Sequence, residues 1–306
     1  MKKTWSSVKP YLRWLILGGT LFFLVKALKD NWQNVTAIQV ESSAFLKLFL
    51  AFSITLIAHI WAGLVWGSIL QSFRQPVQYR WVIPIYLKTN IAKYLPGNVW
   101  HYYGRILAVT KAGGSLEAAT VSVLIEPLLM ATAALLVALI ASLLGLVNTK
   151  DIIDFRLQIL SLCVVCLAVH PRVLNPALQL LSRFKGNPNS KFQLQYYPLL
   201  PLLGELLFLG LRGAGFLFTF SALTIVNTSY IPLLFSAFSI AWVLGLVIPT
   251  PGGLGVFETT AIALLSSYFP TGIILSVVAI FRLISILAEI LGAGLGMLIE
   301  RFSQSS

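Results

Sequence analysis

Apolar residues run along this chain in uninterrupted blocks, not in strand-like alternation or in the spacing of a half-buried surface helix. Blocks at about residues 12–28, 44–70, 116–147, 155–170, 198–225 and 271–298 predict full membrane-crossing helices, since about 20 apolar residues cross a hydrocarbon layer of about 30 Å. Lipid satisfies no backbone donor or acceptor, so such spans are helical, and continuous runs exclude a β-barrel. Two further apolar stretches are interrupted. Residues 81–110 are broken by Lys93-Tyr94-Leu95-Pro96-Gly97, and residues 231–267 by Pro249-Thr250-Pro251-Gly252-Gly253-Leu254-Gly255. Proline removes a helix donor and glycine releases the backbone, so each stretch is predicted to be a broken helix or re-entrant hairpin surrounded by protein or a polar cavity. The fold class that follows is an all-α polytopic membrane protein with about six full spans and two broken hairpins.

Composition agrees with a lipid solvent. Hydrophobic residues make up 58% of the 306 and charged residues only 10%, against about 25% charged in soluble domains. The longest polar stretch, about Arg172 to Gln195, is too short to fold alone, so residues 1–306 form a single integral membrane domain. The net charge of +12 sits in short flanking loops, where it orients helices and attracts anionic lipid head groups, and no nucleic-acid partner is expected. Lys2, Lys3, Lys9 and Arg13 precede the first span; Arg74, Arg80 and Lys88 follow the second; Arg172, Arg183, Lys185 and Lys191 follow the fourth. The opposite loops balance Lys26 and Lys29 with Asp30 and Glu41, and Lys150 and Arg156 with Asp151 and Asp154. A multi-pass plasma-membrane protein with both termini cytoplasmic is therefore expected. Met1 to Arg13 followed by Leu15 to Leu28 resembles a signal peptide, but no small-residue cleavage site follows, so it reads as an uncleaved first helix. Cys163 and Cys166, inside an apolar run, read as small core residues.

With this topology the first break enters from the cytoplasmic side and the second from outside, so the two are inverted. Spacing supports an internal repeat: Pro96 to Glu126 is 30 residues and Pro251 to Arg282 is 31, while His59 and Arg212 precede those prolines by 37 and 39. Halves at about 44–147 and 198–298 are expected to form an inverted repeat, the pattern associated with transporters that bind at a central site.

Glu126, Glu205, Arg212, Arg282 and Glu289 fall inside apolar runs, and Glu258 follows the second break. Each such charge costs about 2.5 to 3.5 kcal/mol at a helix centre. Glu205 and Arg212 are seven residues apart, as are Arg282 and Glu289, so direct pairing is a long reach and partners on other helices are expected. Two readings stand: ion pairs that fix helix packing, or a polar lining for a charged head group. The second makes Lys93, Arg105, Glu126, Arg212, Glu258 and Arg282 a head-group pathway, with half-helix N-termini after Gly97 and Gly253 offering backbone donors to a phosphate. Lys93, Arg105 and Lys111 serve equally as interfacial anchors of the first hairpin. Trp100, Tyr102 and Tyr103 read as interfacial belt residues, and His59, His101 and His170 as packing or interface residues. Gly292 and Gly296, a G-x-x-x-G, and Gly210, Gly213 and Gly215 predict close helix packing, within the molecule or between copies. Arg172 to Phe184 predicts a short amphipathic surface helix. The sequence holds no Ser-His-Asp order, no phosphate-binding glycine loop and no metal cluster, so neither an enzyme nor a cofactor or metal is expected.

The string Lys93-Tyr94-Leu95-Pro96-Gly97 followed by Trp100 and Gly104-Arg105, together with Pro249-Thr250-Pro251-Gly252-Gly253-Leu254-Gly255-Val256 and Glu258, resembles the lysylphosphatidylglycerol synthase transmembrane-region family. The two motifs lie about 155 residues apart, and the resemblance covers most of the chain. It implies a membrane region similar to the flippase part of the multiple peptide resistance factors, which move aminoacylated phospholipid between leaflets. The aminoacyl-transferase domain of those factors is not in this sequence, which ends six residues after Glu300. The function implied is translocation or binding of an anionic or aminoacylated phospholipid. An alternative is a membrane scaffold presenting a lipid-linked substrate to a separate glycosyltransferase or other lipid-modifying enzyme. A third reading is transport of a small polar solute.

Overall fold

A computed structural model describes residues 43–75, 77–94, 99–145, 155–184, 193–248 and 255–304. The first span expected at 12–28 lies outside the described residues, as do Pro96, Gly97, Pro249, Pro251, Gly252 and Gly253. Ten α-helices are described: α1 (Ser43–Ser72), α2 (Tyr79–Asn90), α3 (Trp100–Lys111), α4 (Leu116–Leu143), α5 (Phe155–Val169), α6 (Pro171–Phe184), α7 (Leu199–Leu223), α8 (Ile231–Val247), α9 (Val256–Leu265) and α10 (Thr271–Gln304). Short 3-10 turns at Ile91–Tyr94 and Thr228–Tyr230 extend α2 and lead into α8. No strand occurs among the described residues. The chain is an all-α polytopic membrane protein.

Local chemistry sets several helix ends. The Ser115 hydroxyl accepts from the Ala118 amide at 3.2 Å, with Glu117 in the first turn, so α4 starts capped and with its dipole complemented. The α9 start needs a left-handed residue, and Gly255, at φ +80°, supplies it without a side-chain clash. Pro171 takes the first position of α6, where its missing donor is harmless, and thereby ends α5 at Val169.

Five segments are long and apolar enough to cross a membrane: Ser43–Ser72, Leu116–Leu143, Leu199–Leu223, Thr228–Val247 and Thr271–Phe302. This departs from the expected set at two places. The expected span at 155–170 is the 15-residue α5, about 22 Å long and so shorter than the bilayer core. Conversely, the first arm of the second broken stretch is helical to Val247, and with its 3-10 turn it is long enough to span by itself. Cys163 and Cys166 are also not core residues: the first is exposed and the second half-buried, since α5 packs mainly on its neighbours α4 and α6.

Polarity is distributed inside out. Phe45, Phe49, Leu124, Leu143, Leu203 and Leu298 are exposed, whereas Arg105, Glu126, Glu205, Arg212 and Glu289 are buried. Only a lipid surround makes both halves of that pattern favourable.

At the centre α1 and α7 pack along their lengths. They run antiparallel: Lys47 Nζ donates to the Ser221 carbonyl at 2.9 Å, and 14 residues later on α1 but 17 residues earlier on α7, Trp61 Nε1 donates to the Gly204 carbonyl at 2.8 Å. Small residues permit the approach, since a Cβ on Gly215 would lie 2.7 Å from Thr55 Oγ1 and one on Gly204 would lie 2.7 Å from Val65 Cγ2. Around this pair the packing alternates. Helix α2 packs on α10, while α8 packs on α4. The α2–α10 contact uses the G-x-x-x-G, with Gly292 against Leu87 and Gly296 against the Pro84 backbone, so that motif serves a contact within the molecule.

Candidate functional site: three ion pairs and two unpaired charges

Helix pairs that meet at the breaks bring opposite charges together. Arg105 of α3 donates from Nη1 to Glu126 Oε2 of α4 at 2.5 Å, and the Tyr86 hydroxyl of α2 donates to Glu126 Oε1 at 2.8 Å. The guanidinium is enclosed, its carbon 3.7 Å from the Tyr86 ring centroid and 5.6 Å from that of Trp66. Trp66 Nε1 in turn donates to Ser122 Oγ at 3.1 Å, which fixes the indole wall. Gly104 lets α3 reach α2, because a Cβ there would lie 2.9 Å from Thr89 Cγ2.

The second pair joins the first broken stretch to the last helix. Lys93 Nζ, in the 3-10 turn after α2, donates to Glu289 Oε1 of α10 at 2.5 Å and lies 5.3 Å from the Tyr94 ring centroid. His59 Nε2 of α1 is 3.3 Å from the same carboxylate oxygen, so this histidine belongs to a charged cluster and not to plain packing as expected. His101 does pack, its ring 3.8 Å from that of Tyr102.

The third pair lies at the second break. Arg282 of α10 donates from Nε to Glu258 Oε1 and from Nη2 to Glu258 Oε2, the latter at 3.1 Å, a fork geometry that fixes α9 against α10. Glu258 Oε2 also accepts from the Gly255 amide at 2.8 Å. A backbone donor at the start of α9, expected to await a phosphate, is thus used by the chain's own carboxylate. Trp100 and Tyr103 are exposed on α3, as interfacial residues are, and Lys111 is exposed at its end.

Lys93, Arg105 and Arg282 are therefore matched by Glu289, Glu126 and Glu258. Of the intramembrane charges singled out in the sequence, two remain without an ion pair among the described residues, and both lie on α7. Arg212, 4% exposed, donates from Nη2 to Ser285 Oγ at 3.0 Å, while its Nε and Nη1 have no partner. Its guanidinium carbon lies 4.7 Å from the Phe281 ring centroid and 5.2 Å from that of Trp242. Glu205 is wholly buried, and neither carboxyl oxygen has a hydrogen-bond partner. Seven residues separate the two, which places them on one face, two turns or about 10.5 Å apart along the helix.

Every charged pathway residue expected from the sequence is thus inside the bundle or at a break, but five of them, Lys93, Arg105, Glu126, Glu258 and Arg282, are held in separate ion pairs and Arg212 stands apart, so they form no continuous line. Glu289, Glu205 and His59 belong to the same arrangement, and Tyr86, which carries no sequence signal, completes the Arg105 site. No group of His, Cys, Asp and Glu able to hold a metal occurs among the described residues. Searches with the whole sequence found that no family model and no curated protein matches the chain.

Proposed function

We propose that this protein moves or binds phospholipid, with the head group passing through the charged interior while the tails stay in the bilayer. The observation that carries this reading is Arg212: a buried guanidinium with two nitrogens unpartnered and no carboxylate bonded to it. A buried cation in that condition is costly unless a ligand completes its hydrogen bonds, and a phosphate oxygen is a complementary acceptor. Lys93 and His59 stand near it around Glu289, so the region carries more positive than negative charge when Lys93 is ionised.

The inverted-repeat reading supports the same function. Residues 44–147 and 198–298 hold helices in the same order, with 30, 12, 12 and 28 residues in α1 to α4 and 25, 17, 10 and 34 in α7 to α10. The equivalent helices α1 and α7 run in opposite directions, and α2 on α10 mirrors α8 on α4. Even the ion pairs correspond with their signs reversed, Arg105–Glu126 in one half and Glu258–Arg282 in the other. Such a repeat lets a central site face either leaflet by exchanging the conformations of its halves. The similarity to the lysylphosphatidylglycerol synthase transmembrane-region family points the same way, toward an anionic or aminoacylated lipid.

The test is leaflet exchange of fluorescent phosphatidylglycerol, phosphatidylethanolamine and lysyl-phosphatidylglycerol in liposomes containing wild-type protein, Arg212→Gln or no protein. Head-group-dependent exchange that Arg212→Gln abolishes, with the variant still folded, is the expected result. Absence of exchange across the panel by folded wild type overturns the reading in favour of the scaffold that serves a separate enzyme.

A further inference from the structure

Glu205 has no part in the head-group reading, yet its surroundings are unusual. Both oxygens are buried without a partner, and an ionised carboxylate in an apolar interior is not tolerated in that condition. A proton on the carboxyl removes that uncompensated charge. Charged and polar groups approach this part of α7 from several helices. Arg105 from α3, Glu126 from α4 and the Tyr86 hydroxyl from α2 lie within electrostatic range of it. Tyr102 of α3 faces the same Arg105–Glu126 pair. Helix α1 contributes Trp61, bonded to the Gly204 carbonyl, and farther along His59. From α8, Trp242 packs against Phe208, one turn along α7 from Glu205, and its Nε1 is itself unpartnered. Helix α10 meets α7 two turns away through Ser285 and Glu289, at Arg212.

One guanidinium therefore stands near two carboxyl groups. In the pairing seen, Arg105 bonds to Glu126, while both Glu205 oxygens are left without a partner. We propose that Glu205 is a proton-binding site that shares Arg105 with Glu126, and that its loading and unloading couples proton movement to the conformational cycle. The coupling to lipid rests on the lipid-translocation reading; the proton site itself does not. The exchange balances in charge. As Arg105 turns to Glu205, the Glu205 O–H bond breaks and its proton leaves to water, while Glu126 loses the guanidinium and gains one proton from water. Both pairings hold one proton and one ion pair. Release to one side and uptake from the other moves one proton per exchange. Glu126 and Glu258 are already engaged by arginines, and Glu205 is the carboxyl on α7 left to carry a removable proton.

Two measurements on the full chain test this independently. Infrared difference spectra of the reconstituted protein, taken in light and heavy water, read the carbonyl stretch of protonated carboxylic acids. The expected result is a deuterium-sensitive band at neutral pH that Glu205→Gln removes and the partly exposed control Glu117→Gln retains. No such band in wild type, or one that survives Glu205→Gln, overturns the proton site. Glu205→Gln preserves shape and breaks no ion pair, so it should fold. The second measurement is exchange of fluorescent phosphatidylglycerol and phosphatidylethanolamine in liposomes with an imposed pH gradient. Wild-type exchange should be biased by the gradient and Glu205→Gln exchange should proceed without bias. Exchange in wild type that ignores the gradient overturns coupling while leaving the lipid reading intact. Absence of any exchange defeats the lipid reading and the coupling with it, and leaves the proton site to be decided by the infrared band.

Discussion

At the scale of single residues, burial gives the ion pairs a structural part. Arg105 and Glu126 are 2% and 3% exposed at their side chains. Removing one partner from such a buried pair leaves an uncompensated charge and costs about 3 to 5 kcal/mol. Arg105→Gln should accordingly lower the thermal denaturation midpoint in detergent, and adding Glu126→Gln should restore most of the loss. Arg212→Gln should behave in the opposite way, leaving that midpoint unchanged or higher, because no carboxylate is orphaned by it. The sequence marks nearly all of these charges, since an ionisable residue in an apolar run stands out. Their partners are not legible, because each pair joins different helices, and spacing along one helix says nothing about who faces whom. His59 shows the limit: alone it reads as packing, and only the approach of α10 places Glu289 against it. Tyr86 shows it again, as an aromatic residue in an apolar stretch whose role rests entirely on the approach of α4.

At the scale of elements, the helices were legible to within a few residues where apolar runs are long. The sequence locates α1, α4, α7 and α10 and both interruptions, because lipid imposes length and apolarity on anything that spans it. The failures concern length near a proline: α5 is too short to cross and Thr228–Val247 is long enough. Glycines divide sharply by what they face. A Cβ at Gly296 would lie 2.8 Å from the Pro84 carbonyl oxygen, whereas one at Gly294, on the same helix, meets nothing within 4 Å. Gly296→Ala should therefore destabilise by about 1 to 3 kcal/mol through overpacking. Gly294→Ala should be neutral or stabilise by up to about 1 kcal/mol through helix propensity. Denaturation midpoints of the two variants side by side give the comparison, and equal loss from both would contradict the packing of α2 on α10.

At the scale of the whole molecule, each broken stretch leans on the far half of the chain. A cross-linker joining cysteines placed at Lys88 and Glu300, which form an ion pair between α2 and α10, should hold those helices together. If exchange of the halves drives translocation, that link should stop lipid exchange and its cleavage should restore it, as read by the liposome assay. The same reciprocal packing governs how the protein is made. Lys88 and Glu300 are 212 residues apart, so at ordinary rates of synthesis the first waits roughly 10 to 40 s for the second to leave the ribosome. During that interval α2 has no α10 to cover it, and the Lys93 ammonium lies beside a membrane that does not yet contain Glu289. A nascent chain in this condition needs shelter at the site of insertion, and a fragment ending near residue 147 should be degraded when expressed alone and rescued when the remainder is supplied as a second polypeptide.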